Sequence, residues 1–207
     1  AHPMSGANTM CVANALLETG MIEMQEPKTV LRLEAPAGIV TATAECKDGK
    51  CERVSLDMIP SFVDALDQTV TTEEWGEVTF DIAFGGVFYA VVAVEQLGIS
   101  ITPEHTADLV RAGMAMKEAA NAAYDVQHPE IPSIDHIAYA IFVERLDANT
   151  IRTCCTLWPG RVDRSPCGTG SSAISAVLHK RGELAVGEEM TTVSIIGSRF
   201  RVSLTGE

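Results

Sequence analysis

The sequence predicts a mixed α+β protein made of two similar lobes, residues 1–115 and 116–207. Three observations support this prediction: helical apolar spacing in a few segments, strand-type alternation in many, and an internal repeat. With 46% hydrophobic residues among 207, the chain can bury the cores that two lobes need. The expected seam between the lobes is the polar stretch 127–132 together with the end of the helix that precedes it.

The expected elements follow from apolar spacing and turn signals along the chain. In the first half we predict a helix at 7–19 and strands at 29–34, 38–45, 51–58, 78–83 and 87–94. Pro103 is suited to open the next helix, which extends to about residue 121. Beyond it we predict strands at 134–144 and 150–157, a helix at 171–180 and two strands within 191–204.

The internal repeat appears when the sequence is shifted by 162 residues. This shift sets Ser5-Gly6 on Cys167-Gly168 and Gly20 on Gly182. Each copy then contains a glycine-started helix, a glycine stop and a strand of the same phase. We therefore expect two lobes whose helix N-termini face one another across a cleft, with Ser5 and Cys167 as opposing residues.

The segment 163–170 places a thiol at the start of a helix. Pro166 favours extended backbone before it, and Gly168 and Gly170 allow other groups to approach closely. Unpaired N–H groups and the helix dipole should lower the pKa of Cys167 and make its thiolate available near neutral pH. Cys167 is therefore a candidate base. The alternative is a buried structural cysteine beside an ordinary glycine turn.

The composition narrows the classes of partner and location. The net charge of −13 disfavours nucleic acid and anionic membranes as partners. No stretch approaches the roughly 20 apolar residues that span a bilayer, and the N-terminus lacks a signal-peptide profile. The six cysteines show neither zinc-finger spacing nor a disulfide framework, so we expect no metal site and a cytoplasmic location.

Both ends of the chain look cut. It begins at Ala1 without an initiator methionine, already close to a helix, and it stops directly after a predicted strand. We therefore expect the first lobe to lack its N-terminal part and the second its C-terminal part.

Two facing helix N-termini have a chemical use. Acid/base groups on opposite sides of a substrate carbon can remove a proton from one side and return one on the other. Backbone N–H groups at Gly6 and Ala7 in one lobe, and at Gly168 and Thr169 in the other, could hold a carboxylate whose charge grows in the reaction. Such chemistry requires no metal and no organic cofactor.

The residues resemble the proline racemase superfamily. Its second signature is similar to segment 163–170, and its first, normally Met-Cys-Gly-His, is similar to Met4-Ser5-Gly6-Ala7. Further similarity covers nearly the whole chain, including 83–86 and 128–130. The resemblance implies a diaminopimelate-epimerase-like fold, with two pseudo-symmetric lobes that each wrap strands around a central helix. It also implies a cytosolic, cofactor-independent enzyme for proline or hydroxyproline, commonly a homodimer.

The resemblance also implies roles for single residues. Cys167 would be one catalytic acid/base, Gly168 and Thr169 would hold the substrate carboxylate, and Asp163 would contact the ring ammonium. His136 would match a family substrate contact. The alternative for His136 is an ordinary strand residue with a satisfied side chain, and for Asp163 a turn or capping residue.

Two departures from the family pattern shape the functional prediction. Ser5 replaces a thiol by a hydroxyl that does not ionise near neutral pH, and Ala7 replaces the signature histidine. Ser5 suits a reaction in which one base takes the Cα proton and the opposite lobe assists a departing hydroxyl. We therefore predict a trans-3-hydroxy-L-proline dehydratase with possible 2-epimerase activity. The alternative is a 4-hydroxyproline 2-epimerase or proline racemase. From other classes, an inactive imino-acid-binding homologue and, more weakly, a phosphate-binding loop remain open.

Overall fold

The computed structural model describes residues 3–206 and divides into two compact units, Ala1–Pro60 and Ser61–Glu207. The boundary that we predicted between residues 115 and 116 lies inside a helix, Thr106–Ala123. This helix packs on strands of the second unit, so the core continues through that point. The assignment of two pseudo-symmetric lobes with a boundary there stays a prediction.

The first unit contains one helix and one antiparallel sheet. Its elements are helix α1 (Gly6–Glu18) and strands β1 (Lys28–Ala35), β2 (Gly38–Lys47) and β3 (Lys50–Asp57). The strands pair in the order β1-β2-β3. Ala13 and Leu17 of α1 pack against Leu31, Ala42 and Ala44 of the sheet, because the apolar residues of β1 and β2 alternate toward the helix.

The second unit is built on an eight-stranded sheet. Its first elements are β4 (Phe62–Thr72), β5 (Gly76–Phe84), β6 (Phe88–Ala93), α2 (Thr106–Ala123) and β7 (Ile137–Arg145). The remaining elements are β8 (Thr150–Leu157), β9 (Arg161–Val162), α3 (Gly168–Lys180), β10 (Glu189–Ser194) and β11 (Arg199–Ser203). The strand order is β11-β10-β8-β7-β6-β5-β4, with β9 paired to β8. Only β6-β7 and β10-β8 are parallel pairs within residues 61–206.

Helices α2 and α3 cover opposite faces of this sheet. Cys155 of β8 belongs to the core around α3, whereas its neighbour Thr156 lies against Gly113 of α2. Successive side chains of a strand point to opposite faces, so the two helices are separated by the sheet. A β-carbon on Gly113 would overlap the Thr156 side chain, which fixes the close approach of α2.

The predicted α+β class is confirmed, and so is the repeated unit of helix, glycine stop and strand. Helices α1 and α3 coincide under the 162-residue shift, Gly6–Glu18 on Gly168–Lys180. Each ends before a left-handed glycine, Gly20 with φ 71° and Gly182 with φ 75°. Among residues 3–206, no helix is both long and apolar enough to cross a membrane.

Candidate active site

Cys167 caps the N-terminus of α3 in an unusual backbone conformation. Its φ of 65° and ψ of 102° are rarely adopted by a residue with a side chain. Two side chains of the preceding loop support this geometry. The Ser165 amide donates to Asp163 Oδ1 at 2.8 Å, and the Cys167 amide donates to Ser165 Oγ at 3.1 Å. Such backbone strain persists where the surroundings impose it, which is common at functional sites.

The carbonyl of Pro166 anchors the loop to the sheet and to the helix. It accepts hydrogen bonds from Thr153 Oγ1 at 2.9 Å and from Ser171 Oγ at 3.4 Å. Ser171 Oγ also lies 2.9 Å from Thr192 Oγ1 of β10. The backbone on either side of Cys167 is therefore fixed by buried hydroxyl groups of two strands and one helix.

The Cys167 sulfur lies in a buried polar pocket. The Tyr89 hydroxyl is 3.3 Å from Cys167 Sγ and 2.7 Å from Thr169 Oγ1, which itself lies 3.9 Å from the sulfur. Cys167 is 6% exposed and Tyr89 only 1%. The thiol that we predicted at the helix N-terminus is therefore present, but it is more deeply buried than a freely accessible nucleophile.

Hydrogen bonding keeps the pKa of Cys167 below that of an ordinary cysteine despite this burial. The largest cause is a hydrogen bond from the Cys155 thiol, supported by the Tyr89 hydroxyl and the Gly170 backbone N–H. Burial and the Asp163 charge oppose the shift. Desolvation raises the pKa of Cys155 and of Tyr89 well above their ordinary values. In this cluster, Cys167 is therefore the group that ionises first.

Two glycines permit the close packing around this thiol. A β-carbon on Gly170 would lie 3.0 Å from Cys167 Sγ and would overlap Ile141. One on Gly85, between β5 and β6, would overlap the Thr169 carbonyl oxygen and the Ala173 nitrogen. The first turn of α3 therefore requires glycine both within the helix and in the chain beside it.

The predicted site residues of the second unit are only partly brought together. Gly168 and Thr169 form the first turn of α3 beside Cys167, and Asp163 is linked to Cys167 through Ser165. His136 lies just before β7, where its side chain is 62% exposed and pairs with Asp135 at 3.2 Å. The structure thus gives His136 a hydrogen-bond partner in Asp135 but no contact with the thiol.

The predicted residues of the first unit occupy the equivalent helix start. Ser5 is the N-cap of α1 with extended backbone, and Gly6 and Ala7 form the first turn. The Ser5 carbonyl accepts from the Thr9 amide at 3.0 Å and from Thr9 Oγ1 at 2.7 Å. The Ser5 hydroxyl makes no capping hydrogen bond. Its role opposite Cys167 stays a prediction.

Sequence reasoning missed Tyr89 and Cys155. Both lie on buried strands, β6 and β8, where they looked like core residues. A polar hydroxyl in the otherwise apolar strand that follows Gly85-Gly86 was the available signal for Tyr89. No spacing rule connects position 155 to position 167, because the two residues meet only in the folded core around α3.

Residues 3–206 include no group of three or more histidine, cysteine or acidic residues arranged to hold a metal ion. The expectation that the reaction needs neither metal nor cofactor stays a prediction. The fold and site define a class of protein: an α+β chain that holds, at a helix N-terminus, a buried thiol whose pKa is lowered by hydrogen bonds.

Comparison with known proteins narrows this class. The chain belongs to the proline racemase family, which it matches over residues 1–207. It is 54% identical over 206 residues to the 4-hydroxyproline 2-epimerase of Allorhizobium ampelinum, and the match covers all of this chain and 59% of that protein. It thus spans about three fifths of the length of the curated relatives it matches.

Two solved structures have the same fold. A hydroxyproline epimerase from Agrobacterium vitis with bound trans-4-hydroxy-L-proline gives a TM-score of 0.96 at 54% identity, covering 99% of this chain and 60% of that one. A probable proline racemase from Agrobacterium radiobacter K84 with bound carbonate gives 0.97 at 52% identity, covering 100% and 61%. These likenesses confirm the predicted family and fold class.

Proposed function

We propose that this protein inverts the Cα centre of a 4-hydroxyproline-type imino acid, as a 2-epimerase. The observation that carries the proposal is the buried Cys167 thiol, whose pKa lies below the ordinary value at the N-terminus of α3. Relatives at 54% identity that carry the name 4-hydroxyproline 2-epimerase support the choice of substrate. The proposal favours the alternative of our sequence prediction over the dehydratase.

In the proposed reaction, the Cys167 thiolate takes the Cα proton. The electron pair of the broken C–H bond moves into the adjacent carboxylate. Backbone N–H groups of Gly168 and Thr169 at the positive end of α3 hold that carboxylate as its charge grows. Asp163 is proposed to face the ring ammonium, and His136 is retained only as a proposed outer substrate contact.

Ser5 is the proposed second group, which returns a proton to the other side of the carbon. A serine hydroxyl is a poor independent base, so it would act as a relay that takes up a proton from solvent as it delivers its own to the carbon. The backbone N–H groups of Gly6 and Ala7 are proposed to complete the carboxylate site. The two directions of the reaction should therefore differ in rate.

Proton exchange in D₂O tests this proposal directly. The protein is incubated with trans-4-hydroxy-L-proline, proline or trans-3-hydroxy-L-proline, and NMR follows Cα deuteration, inversion and loss of water. We expect deuteration and inversion of the 4-hydroxy compound. Release of a cyclic imine from the 3-hydroxy compound without inversion of the other two would replace the epimerase by the dehydratase. Binding without any exchange would favour the inactive binding homologue.

Variants of Ser5 then separate the two faces of the substrate. Ser5→Ala should slow inversion while Cys167 still exchanges deuterium at Cα. Ser5→Cys supplies a group of suitable pKa and should restore or raise inversion in both directions. Equal inversion by Ser5→Ala and by the original protein would remove Ser5 from the mechanism.

The expected homodimer and the cytoplasmic location stay predictions. Light scattering coupled to size exclusion tests the first, since a single mass equal to the chain's own would exclude the dimer. Fractionation of cells that express the full protein tests the second.

A further inference from the structure

Two side chains beside the proposed base form one continuous hydrogen-bonded chain with it. Thr169 Oγ1 lies 2.7 Å from the Tyr89 hydroxyl, which lies 3.3 Å from Cys167 Sγ. All three residues are buried, at 5%, 1% and 6% exposure. Water has little access to these groups, so each hydroxyl must find its partners within the chain.

The Tyr89 hydroxyl has one proton and two neighbours. Which neighbour it donates to therefore depends on whether the Cys167 sulfur is protonated. Toward a thiolate, Tyr89 donates to Cys167 and accepts from Thr169. Toward a neutral thiol, Cys167 S–H donates to Tyr89, which then donates to Thr169. The two arrangements differ by one proton, which Cys167 gains or loses, while Tyr89 and Thr169 each keep the proton on their own oxygen.

We propose that Tyr89 is a positioning residue that favours the thiolate of Cys167, acting beside the Cys155 thiol, through a hydroxyl chain with Thr169 that reverses direction as the thiol gains or loses its proton. Its catalytic consequence rests on the proposed function, since it matters to turnover only if Cys167 moves the substrate proton. When Cys167 accepts the Cα proton, the new S–H bond finds an acceptor in Tyr89 without movement of heavy atoms.

The surroundings keep Tyr89 in its protonated, donating form. Burial raises the pKa of Tyr89 well above its ordinary value, and the charge of a Cys167 thiolate raises it further. Burial raises the pKa of Cys155 in the same way, so its thiol also remains a donor. The titratable groups that interact electrostatically with Cys167 come from three strands and one loop: Tyr89 on β6, Tyr139 on β7, Cys154 and Cys155 on β8, and Asp163 after β9.

Thr169 gives the chain a link to substrate. By the proposed function, its backbone N–H holds the carboxylate, while its side chain ends the hydroxyl chain. A β-carbon on Gly85 would overlap the Thr169 carbonyl oxygen, so the backbone packs closely at this residue. The proposed reversal needs only rotation of hydroxyl hydrogens. The hydrogen bonds can therefore adjust to a change of charge on the sulfur while the surrounding side chains keep their positions.

The first test measures the thiol itself and needs no substrate. Cysteine is labelled with ¹³C at Cβ, the Cys167 signal is assigned by its loss in Cys167→Ser, and its pKa is read by NMR titration. Tyr89→Phe keeps the ring and removes the hydroxyl. We expect it to raise the pKa of Cys167 by about one unit or more, because hydrogen bonds to charged groups contribute at that level. Tyr124→Phe is the matched control, since its hydroxyl bonds to the Thr69 backbone on β4.

Variants of Thr169 test the far end of the chain. Thr169→Val removes the hydroxyl at nearly constant volume and should raise the same pKa by a smaller amount. Thr169→Ser keeps the hydroxyl and should return the pKa toward its original value. If Tyr89→Phe does not fold, this pair decides the proposal by the same measurement.

The outcomes separate this proposal from the proposed function. An unchanged Cys167 pKa in both Tyr89→Phe and Thr169→Val would overturn the hydroxyl chain, whatever the enzyme does. A raised pKa with no Cα exchange of any imino acid by the original protein would leave the chain intact and refute the epimerase. With both correct, the acid limb of the kcat/KM profile should move to higher pH by the same shift as the thiol.

Discussion

Helices α1 and α3 have the same length and the same glycine stop, yet their surroundings differ. In α3 every residue from Thr169 to Leu178 is buried, whereas α1 buries only Gly6, Ala13 and Leu17. Helix α1 packs on three strands, and α3 lies against an eight-stranded sheet. The same backbone unit therefore supports two very different helix starts.

The difference lies in what surrounds the capping residue. Ser5 has extended backbone and a half-buried side chain, whereas Cys167 has left-handed φ and a buried sulfur. Burial alone would raise the pKa of a thiol, as it does for Cys155. Donors that converge on the Cys167 sulfur reverse that effect. The neighbours of the helix N-terminus thus decide the direction in which the pKa of its capping thiol moves.

The largest test makes the two helix starts alike. Cys167→Ser should reduce Cα deuterium exchange by roughly 10²–10⁴-fold, the usual contribution of a positioned acid/base group. Exchange is followed by NMR, and circular dichroism checks that the fold is kept. Cys11→Ser removes an exposed thiol of α1 and should change neither quantity. Full exchange by Cys167→Ser would remove the central claim.

The second test disturbs the close backbone packing at the start of α3, for which α1 has no counterpart. Gly85→Ala forces a β-carbon into the backbone of α3 at Thr169 and Ala173, so strain cannot be relieved by turning a side chain. We expect the free energy of unfolding to fall by about 3 kcal/mol, measured in urea. Gly206→Ala adds the same group where nothing lies within 4 Å and should be neutral. Equal stability of the two variants would show that the chain beside α3 moves away easily.

The C-terminal ends of the two helices offer a smaller contrast. Helix α3 is capped by Arg181, which donates to Asp67 and to the buried Asp81 at 2.7 Å each, whereas Thr19 of α1 bonds to its own helix. Arg181→Met should lower the free energy of unfolding by about 1–2 kcal/mol, because Asp81 loses a charged partner.

Arg145→Met provides the comparison for this ion pair. It breaks an exposed pair with Glu183, so it should cost only about 0–1 kcal/mol in the same urea experiment. If both arginine variants lose the same stability, the burial of Asp81 contributes nothing measurable.

A further effect is expected in the pH dependence of stability. Burial raises the pKa of Cys154 to about 12, so its neutral form stabilises the fold fully below the unfolded thiol pKa of about 8.5. This contribution is lost as pH rises from there toward 12, at up to about 1.4 kcal/mol per pH unit.

Urea unfolding between about pH 7 and 10 checks this sign. Cys154→Ala should make the free energy of unfolding fall less steeply with rising pH, by the contribution of this one thiol. Cys51→Ala should flatten this decline less, because Cys51 on β3 is only partly buried although burial raises its pKa as well. A decline of equal slope in the original protein and in Cys154→Ala would contradict the prediction.

Local sequence patterns determined the position of the thiol and the ends of the two matching helices. Residues 163–170 alone indicated a thiol at a helix start, since proline and glycine act on the backbone next to them. The 162-residue shift predicted two helices that start and end at matching positions. This was possible because a glycine that ends a helix acts on the backbone next to it. The family resemblance added the fold class and the superfamily. The prediction of a dehydratase was based on Ser5 in place of the family thiol.

Only the tertiary structure decided what surrounds the thiol. Tyr89 is 78 residues from Cys167 along the chain, and Cys155 lies on a strand whose pairing with β7 no local pattern specifies. The division at Pro60 likewise depends on which strands share a core. Hydrogen bonding and burial between distant residues set the pKa of Cys167, because electrostatic and packing effects act through space and not along the sequence.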